Sequence, residues 1–253
     1  MQQISSVNNQ TIKQIAKLLR KKGRETSQSY LIEGFHLVSE AYKAHLNYQY
    51  LLGTSEALAK AEEIGFALDN RAIQINQAIC RHLTAAKTPQ GIFMVLKISQ
   101  PKSFSFNYGK WVLLDNLSDP GNVGTIIRTA DAAGFNGVVL SPESVDLYNP
   151  KVQRSMQGSQ FHIDLLVRDL PETIAELQNS NLPVYASMLD RNAKKLEEFE
   201  PVAGLGLVIG NEAHGVSPQI AQLSDEKLYI PIYGQAESLN AAVAAGIMIY
   251  HFA

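Results

Sequence analysis

Apolar residues recur at helical spacing in residues 10–22, QTIKQIAKLLRKK, where Ile12, Ile15, Ala16, Leu18 and Leu19 share one face. Gly23 follows and predicts the stop of that helix. The apolar stretch SYLIE at 29–33 predicts a strand, and 34–44 returns to helical spacing. Further strands are expected at 48–52, 72–75 and 91–96, with helices at 56–64 and 79–83. Together these make an α/β unit of about a hundred residues with its own core. Disorder is suggested only for the polar first residues, 1–9.

The stretch SQPKSFSFNY breaks both periods with a proline and alternating Ser and Phe, and predicts a linker over 99–109. From Lys110 onward, apolar strands alternate with helices. Strands are expected at 111–114, 137–140, 163–167, 184–187, 205–209 and 228–231. Helices are expected at 124–133, 150–157, 171–178, 218–223 and 239–252. Near-continuous apolar strands between helices imply a mostly parallel sheet covered on both faces. Ligands of such sheets sit beyond the carboxyl ends of the strands. The expected domains are therefore 1–98 and 110–253.

Composition narrows the class. Of 253 residues 45% are hydrophobic and 18% charged, as in soluble globular chains. Cys80 is the single cysteine, which excludes an internal disulfide and a thiolate metal cluster. The six histidines show no metal-ligand spacing, so no metal is expected. No secretory signal opens the chain, and the longest apolar run, 241–253, is shorter than the ~20 residues of a membrane span. A reduced, cytoplasmic protein with no membrane partner is the expectation.

Charge changes the picture more. Residues 1–100 hold twelve Lys and Arg against seven Asp and Glu, whereas residues 101–253 hold ten against seventeen. Lys13, Lys17, Arg20, Lys21, Lys22 and Arg24 crowd the first helix and its exit. Such a cluster suits phosphate contact, because Lys and Arg displace counterions from nucleic acid. A solvated helix face would look the same.

Three segments carry candidate chemistry. LLDNLSDPGNVGTIIRTADAAGF runs from a strand through a polar turn at Asn122 into a helix bearing Arg128. Helix starts favour anions, and Arg128 can fork onto phosphate. LGLVIGNEAHGVSP ends an apolar strand abruptly at Gly210, Asn211 and Glu212. Gly210 permits close approach of a ligand to the backbone. Glu212 after a buried strand needs partners, or Asn-Glu simply caps the next turn. LYIPIYGQAESLNAAVAAG leads from a strand into a small-sided helix, with Ser238 a candidate cap at its start. No GxGxxG follows any strand, which speaks against a Rossmann nucleotide site.

Taken together, DNLSDPGNVGTIIRTADAAGF, VIGNEAHGVS and IPIYGQAESLNAAVAAG closely resemble the three motifs of the SpoU (TrmH-like) branch of the knotted RNA 2'-O-ribose methyltransferases, over about 110–253. RETSQSYLIEGFHLVSEA and HLTAAKTPQGIFMVL resemble the substrate-binding domain that precedes it in ribosomal RNA members, a fold similar to ribosomal protein L30e. The resemblance implies a C-terminal α/β sheet tied in a trefoil knot and a smaller N-terminal α/β RNA-binding domain. It implies S-adenosylmethionine as cofactor, a homodimer, and methylation of a ribose 2'-hydroxyl in 23S ribosomal RNA. Transfer RNA as substrate, or a non-catalytic RNA-binding protein, are the alternatives. Arg128, Asn122, Glu212, Ser238 and Asn240 match the family's polar positions around the reacting centre. Gly210, Asn211, Ile230, Pro231 and Leu239 match its cofactor loops. The stretch KVQRSMQGSQFHIDLL departs from the usual family pattern between the first two motifs.

Overall fold

The computed structural model describes residues 1–98 and 104–253. The chain divides into two compact units, Met1–Ser99 with Asp146–Phe161, and Gln100–Val145 with His162–Ala253. A single cut near residue 99 does not anticipate the excursion 146–161, which returns to the first unit. Part of the expected linker, 99–103, lies outside the described residues.

The first unit holds β1 (Gln2–Ile4), α1 (Gln10–Lys17), α2 (Lys21–Ser27), β2 (Ser29–Glu33), α3 (Phe35–Lys43), β3 (Tyr48–Gly53), α4 (Ser55–Glu63), β4 (Ala72–Ile75), α5 (Gln77–Leu83) and β5 (Ile92–Lys97). Its sheet runs β1-β4-β3-β5-β2. Successive residues of β2 face opposite ways. Tyr30 and Ile32 join one buried cluster with Leu37 and Met94, and Leu31 joins a second with Ile12 and Phe93. A sheet covered on both faces explains why SYLIE reads as continuous rather than alternating.

Two expectations fail here. The polar start is not without structure, because Gln2–Ile4 pairs in parallel with β4 and buries Ile4. The single helix expected over 10–22 is two helices, and Gly23 lies inside the second. A Cβ at Gly23 would stand 2.0 Å from the Lys17 carbonyl oxygen, so only glycine lets α2 fold against the end of α1. Arg24 then donates from Nη1 to the Leu18 carbonyl at 2.7 Å and satisfies an orphaned helix-end acceptor.

The second unit begins with β6 (Lys110–Asp115), α6 (Pro120–Ala132) and β7 (Gly137–Leu140). Phe104 and Phe106 stack edge-on against Trp111, with ring centroids 5.1 and 4.8 Å away. The excursion carrying α7 (Pro150–Met156) follows. It is held within the first unit by Arg24 Nε on Asp146 (3.0 Å), Arg154 on Glu33 (3.3 Å), and the Gln157 carbonyl against His36 (2.8 Å). Residues 151–161 of the stretch that departs from the family pattern lie in this excursion.

The second unit resumes with β8 (Asp164–Val167), α8 (Leu170–Asn179), β9 (Val184–Ser187), β10 (Lys194–Lys195), β11 (Leu205–Gly210), α9 (Pro218–Leu223), β12 (Glu226–Tyr229) and α10 (Ala241–His251). Its sheet runs β10-β12-β9-β11-β6-β7-β8, and every pairing is parallel. The two-residue β10 has no apolar run and was not legible in the pattern. After β12 the chain returns across the sheet to seat α10 on α6 and β11. Parallel pairing gathers the carboxyl ends of β6, β7 and β11 at one edge, where Gly210 stands opposite Asp115. Among the described residues no helix is long and apolar enough to cross a membrane, and no group of His, Cys, Asp and Glu could hold a metal ion.

Candidate active site

The loop after β6 enters α6 earlier than the apolar spacing predicts. Asp119 caps the helix by accepting from the Asn122 amide at 2.9 Å, and Pro120 occupies its first turn. Proline suits that turn because its missing N–H would find no partner there. Asn122 is therefore a first-turn residue and Arg128 lies in the third turn. The helix start is not an open anion site either. Carboxylates already occupy it, Asp119 as the cap and Glu212 from the turn after β11.

Glu212 sits at the tip of a tight turn. Asn211 and Gly215 exchange backbone hydrogen bonds of 3.0 and 2.9 Å. The Asn211 side-chain oxygen accepts from the amides of Ala213 and His214. Its Nδ2 donates to the Asn116 carbonyl at 2.7 Å. Asn211 thus caps the turn it opens and pins it to β6. A Cβ at Gly210 would lie 2.1 Å from Gly215 and Val216 backbone atoms. The turn folding back on itself requires the glycine here.

Glu212 reaches α6 with both oxygens. Oε1 accepts from the Asp119 amide and from Asn122 Nδ2, each at 3.1 Å. Oε2 accepts from the amide and hydroxyl of Ser118, each at 3.2 Å. Partial burial pushes its pKa up, but the donors from Asn122, Asp119 and Ser118 outweigh it and hold the carboxyl below its ordinary range. Four donors on one carboxylate leave an anchor rather than a free base.

Asn240 completes the chain. Its Oδ1 caps α10 by accepting from Ala242 and Val243 amides at 2.9 and 3.2 Å. Its Nδ2 donates to Asn122 Oδ1 at 3.1 Å. Asn240, not Ser238, is the cap, and Ser238 makes no hydrogen bond among the described residues. Glu212, Asn122 and Asn240 therefore join the three segments through side chains alone. Each amide orientation is set by the next partner.

The other candidates fall around this chain. Arg128 is exposed, and its side chain makes no hydrogen bond or ion pair among the described residues. Ile230 and Pro231 follow β12 into an exposed loop that ends at Leu239. Backbone groups of residues 232–239 make no hydrogen bond among the described residues, so they are free to hold a ligand. Sequence reading missed Ser118 and Asp119. An Asp directly before Pro at a helix start is a capping signal that could have found Asp119.

In the first unit, Lys13, Lys17, Arg20, Lys21 and Lys22 are exposed, as a phosphate-contacting set requires. Arg24 is not part of that set. Only 4% of it is exposed, and its guanidinium is spent on Asp146 and the Leu18 carbonyl.

The model of the SpoU rRNA Methylase family matches residues 110–250, and that of the MRM3-like substrate binding domain matches residues 9–94. The chain is 39% identical to the Bacillus subtilis 23S rRNA (guanosine(2553)-2'-O)-methyltransferase RlmP over 252 residues, 99% of each chain. An AdoMet-bound rRNA methyltransferase structure from Sinorhizobium meliloti superposes with TM-score 0.87 at 28% identity, covering 99% of this chain and 96% of that one. The SpoU methyltransferase AviRb from Streptomyces viridochromogenes, in complex with AdoMet, superposes with TM-score 0.83 at 25% identity, covering 96% and 97%. On these matches and the three joined segments, the chain belongs to the SpoU rRNA methylase family.

Proposed function

We propose that this protein transfers a methyl group from S-adenosylmethionine to a ribose 2'-hydroxyl of 23S ribosomal RNA, in the cytoplasm and as a homodimer. The observation that carries the reading is the hydrogen-bonded chain Glu212–Asn122–Asn240, which leaves the exposed Arg128 without a partner on the same helix as Asn122. Relatives with the activity, and with the cofactor bound, support it.

The loop 232–239 and the turn at Gly210 and Asn211 would hold the cofactor, together with Ile230, Pro231 and Leu239. The free backbone donors and acceptors of 232–239 fit the polar ends of such a molecule, and exposed Ile232 and Leu239 fit its apolar parts. Bound there, S-adenosylmethionine supplies an electrophilic methyl on a good leaving group. The protein's share is positioning and stabilisation of the oxygen that loses its proton.

Glu212 is saturated and does not take that proton. Arg128 stays charged, since arginine cannot lose its proton in a protein. It grips the neighbouring RNA phosphate in bidentate fashion and lowers the cost of the forming alkoxide, while that phosphate or a water accepts the proton. The exposed lysines and Arg20 of α1 and α2 contact RNA phosphates. The second copy would cover α10, where Leu239, Val243, Ile247 and Tyr250 form an exposed apolar stripe at helical spacing. The threading of the chain from β12 back to α10 would form the trefoil knot, and the first unit with its linker would deliver the RNA.

Labelled S-adenosylmethionine is incubated with unmodified 23S ribosomal RNA or transfer RNA, and the products are digested to nucleosides. A 2'-O-methyl nucleoside from ribosomal RNA is the expected result. Arg128→Ala should lower the rate by roughly 10²–10³-fold with unchanged melting temperature, and Arg128→Lys should not restore it. Label in transfer RNA alone overturns the substrate. Full activity of Arg128→Lys overturns the bidentate role.

A further inference from the structure

Asp115 lies at the carboxyl end of β6 with 3% of its surface exposed. No cation pairs with it among the described residues. Its Oδ2 accepts from the Ser217 amide at 2.7 Å, and its Oδ1 accepts from Asn116 Nδ2 at 3.1 Å. Asn116 is itself held. Its backbone takes a left-handed conformation (φ 58°), its amide donates to Ser141 Oγ at 3.0 Å, and its Oδ1 accepts from that hydroxyl at 3.1 Å. Burying an unpaired carboxylate is costly, so this position is a poor choice for stability alone.

Its contacts locate what the carboxylate does. The turn 211–217 is fastened to β6 at two points, at its start by Asn211 Nδ2 on the Asn116 carbonyl and at its end by the Ser217 amide on Asp115. Glu212 stands between the two fasteners. A turn held at both feet presents its tip in one place, and that place is where Glu212 meets Ser118, Asp119 and Asn122. A charge-assisted acceptor makes the second fastener the stronger kind of hydrogen bond.

We propose that Asp115 is a positioning residue for methyl transfer, fixing the 211–217 turn and through it the Glu212–Asn122–Asn240 chain. This rests on the methyltransferase reading above. Asp115 touches neither reactant. It acts by keeping the turn of the second segment in register with the helix of the first. Small displacements of such a shell cost rate without unfolding the protein.

The test uses the full-length protein and three variants. Asp115→Ala removes both acceptors. Asp115→Asn keeps an oxygen for the Ser217 amide, and its new amide group can donate to Asn116 Oδ1 once the Asn116 side chain flips. Ser217→Pro deletes the donor at a backbone angle (φ −63°) that proline adopts, and sets its ring Cδ against Asp115 Oδ2, so it forces this foot of the turn off β6. Calorimetric S-adenosylmethionine affinity, kcat and the KM for RNA are measured for each.

The expected result for Asp115→Ala and Ser217→Pro is weaker cofactor binding and a kcat lower by roughly tenfold to a hundredfold. The KM for RNA should stay near the wild-type value, because the exposed basic residues of the first unit are untouched. Asp115→Asn should recover most of the loss. Wild-type kcat in folded Ser217→Pro overturns the proposal even if Asp115→Ala fails to fold. So does a parallel change of kcat and RNA KM in every variant. Wild-type protein that binds no S-adenosylmethionine would instead overturn the methyltransferase reading, and the proposal with it.

Discussion

The basic cluster of the first unit and the polar chain of the second treat their functional side chains in opposite ways. Lys13, Lys17, Arg20, Lys21 and Lys22 reach into water, and among the described residues their one ion pair, Lys21 to Glu25 at 4.0 Å, is an exposed pair of the weak kind. Glu212, Asn122 and Asn240 are instead bonded to one another and to the backbone of three segments. Arg24 belongs by sequence to the first group and by structure to the second. Long-range recognition of phosphate needs free, hydrated charge. Chemistry at a single bond needs groups that cannot drift.

Removing Arg24 should break the comparison most visibly. Arg24→Ala leaves Asp146 without its partner inside the first unit, and should cost about 3–5 kcal/mol in urea unfolding. A loss no greater than that of Arg20→Ala would return Arg24 to the exposed set. Asn240 sharpens the other side. Asn240→Ala should cost about 1 kcal/mol through the lost helix cap. Asn240→Asp keeps the cap oxygen but sets a second carboxylate oxygen against Asn122 Oδ1 in place of the donor, so it should cost less stability than Asn240→Ala while depressing kcat. If Asp matches wild type in turnover, the link from Asn240 to Asn122 has no role in the reaction. The smallest change is expected from Lys13→Gln and Lys17→Gln. Stability should move by less than ~0.5 kcal/mol, and the salt dependence of RNA affinity should flatten by about one unit of slope per lysine that contacts phosphate. An unchanged salt slope would remove α1 from the RNA-binding surface.

Much of the framework was legible because its signals are local. β4 and β7 fall where the apolar runs end, and α9 begins at a proline preceded by Ser217. The polar residues of the three segments were legible as candidates from their motifs. Their partners were not. Nothing near Glu212 in sequence says that its donors are Ser118, Asp119 and Asn122, some ninety residues earlier. Gly210 illustrates the same limit. The residue type announces a close approach, while only the folded turn shows that Gly215 and Val216 make it.

By itself the sequence determined the alternation of strand and helix, the charge asymmetry, the family resemblance and the residues able to do chemistry. Each depends on side-chain type and near neighbours, which periodicity and capping preferences report directly. The tertiary structure alone decided the placement of β11 between β9 and β6, the pairing of polar β1 with β4, and the return of 146–161 to the first unit. It also decided that Arg24 is buried while its neighbours are not. Those outcomes turn on which distant segments meet, and a hydrogen bond or ion pair between them leaves no trace in the spacing along the chain.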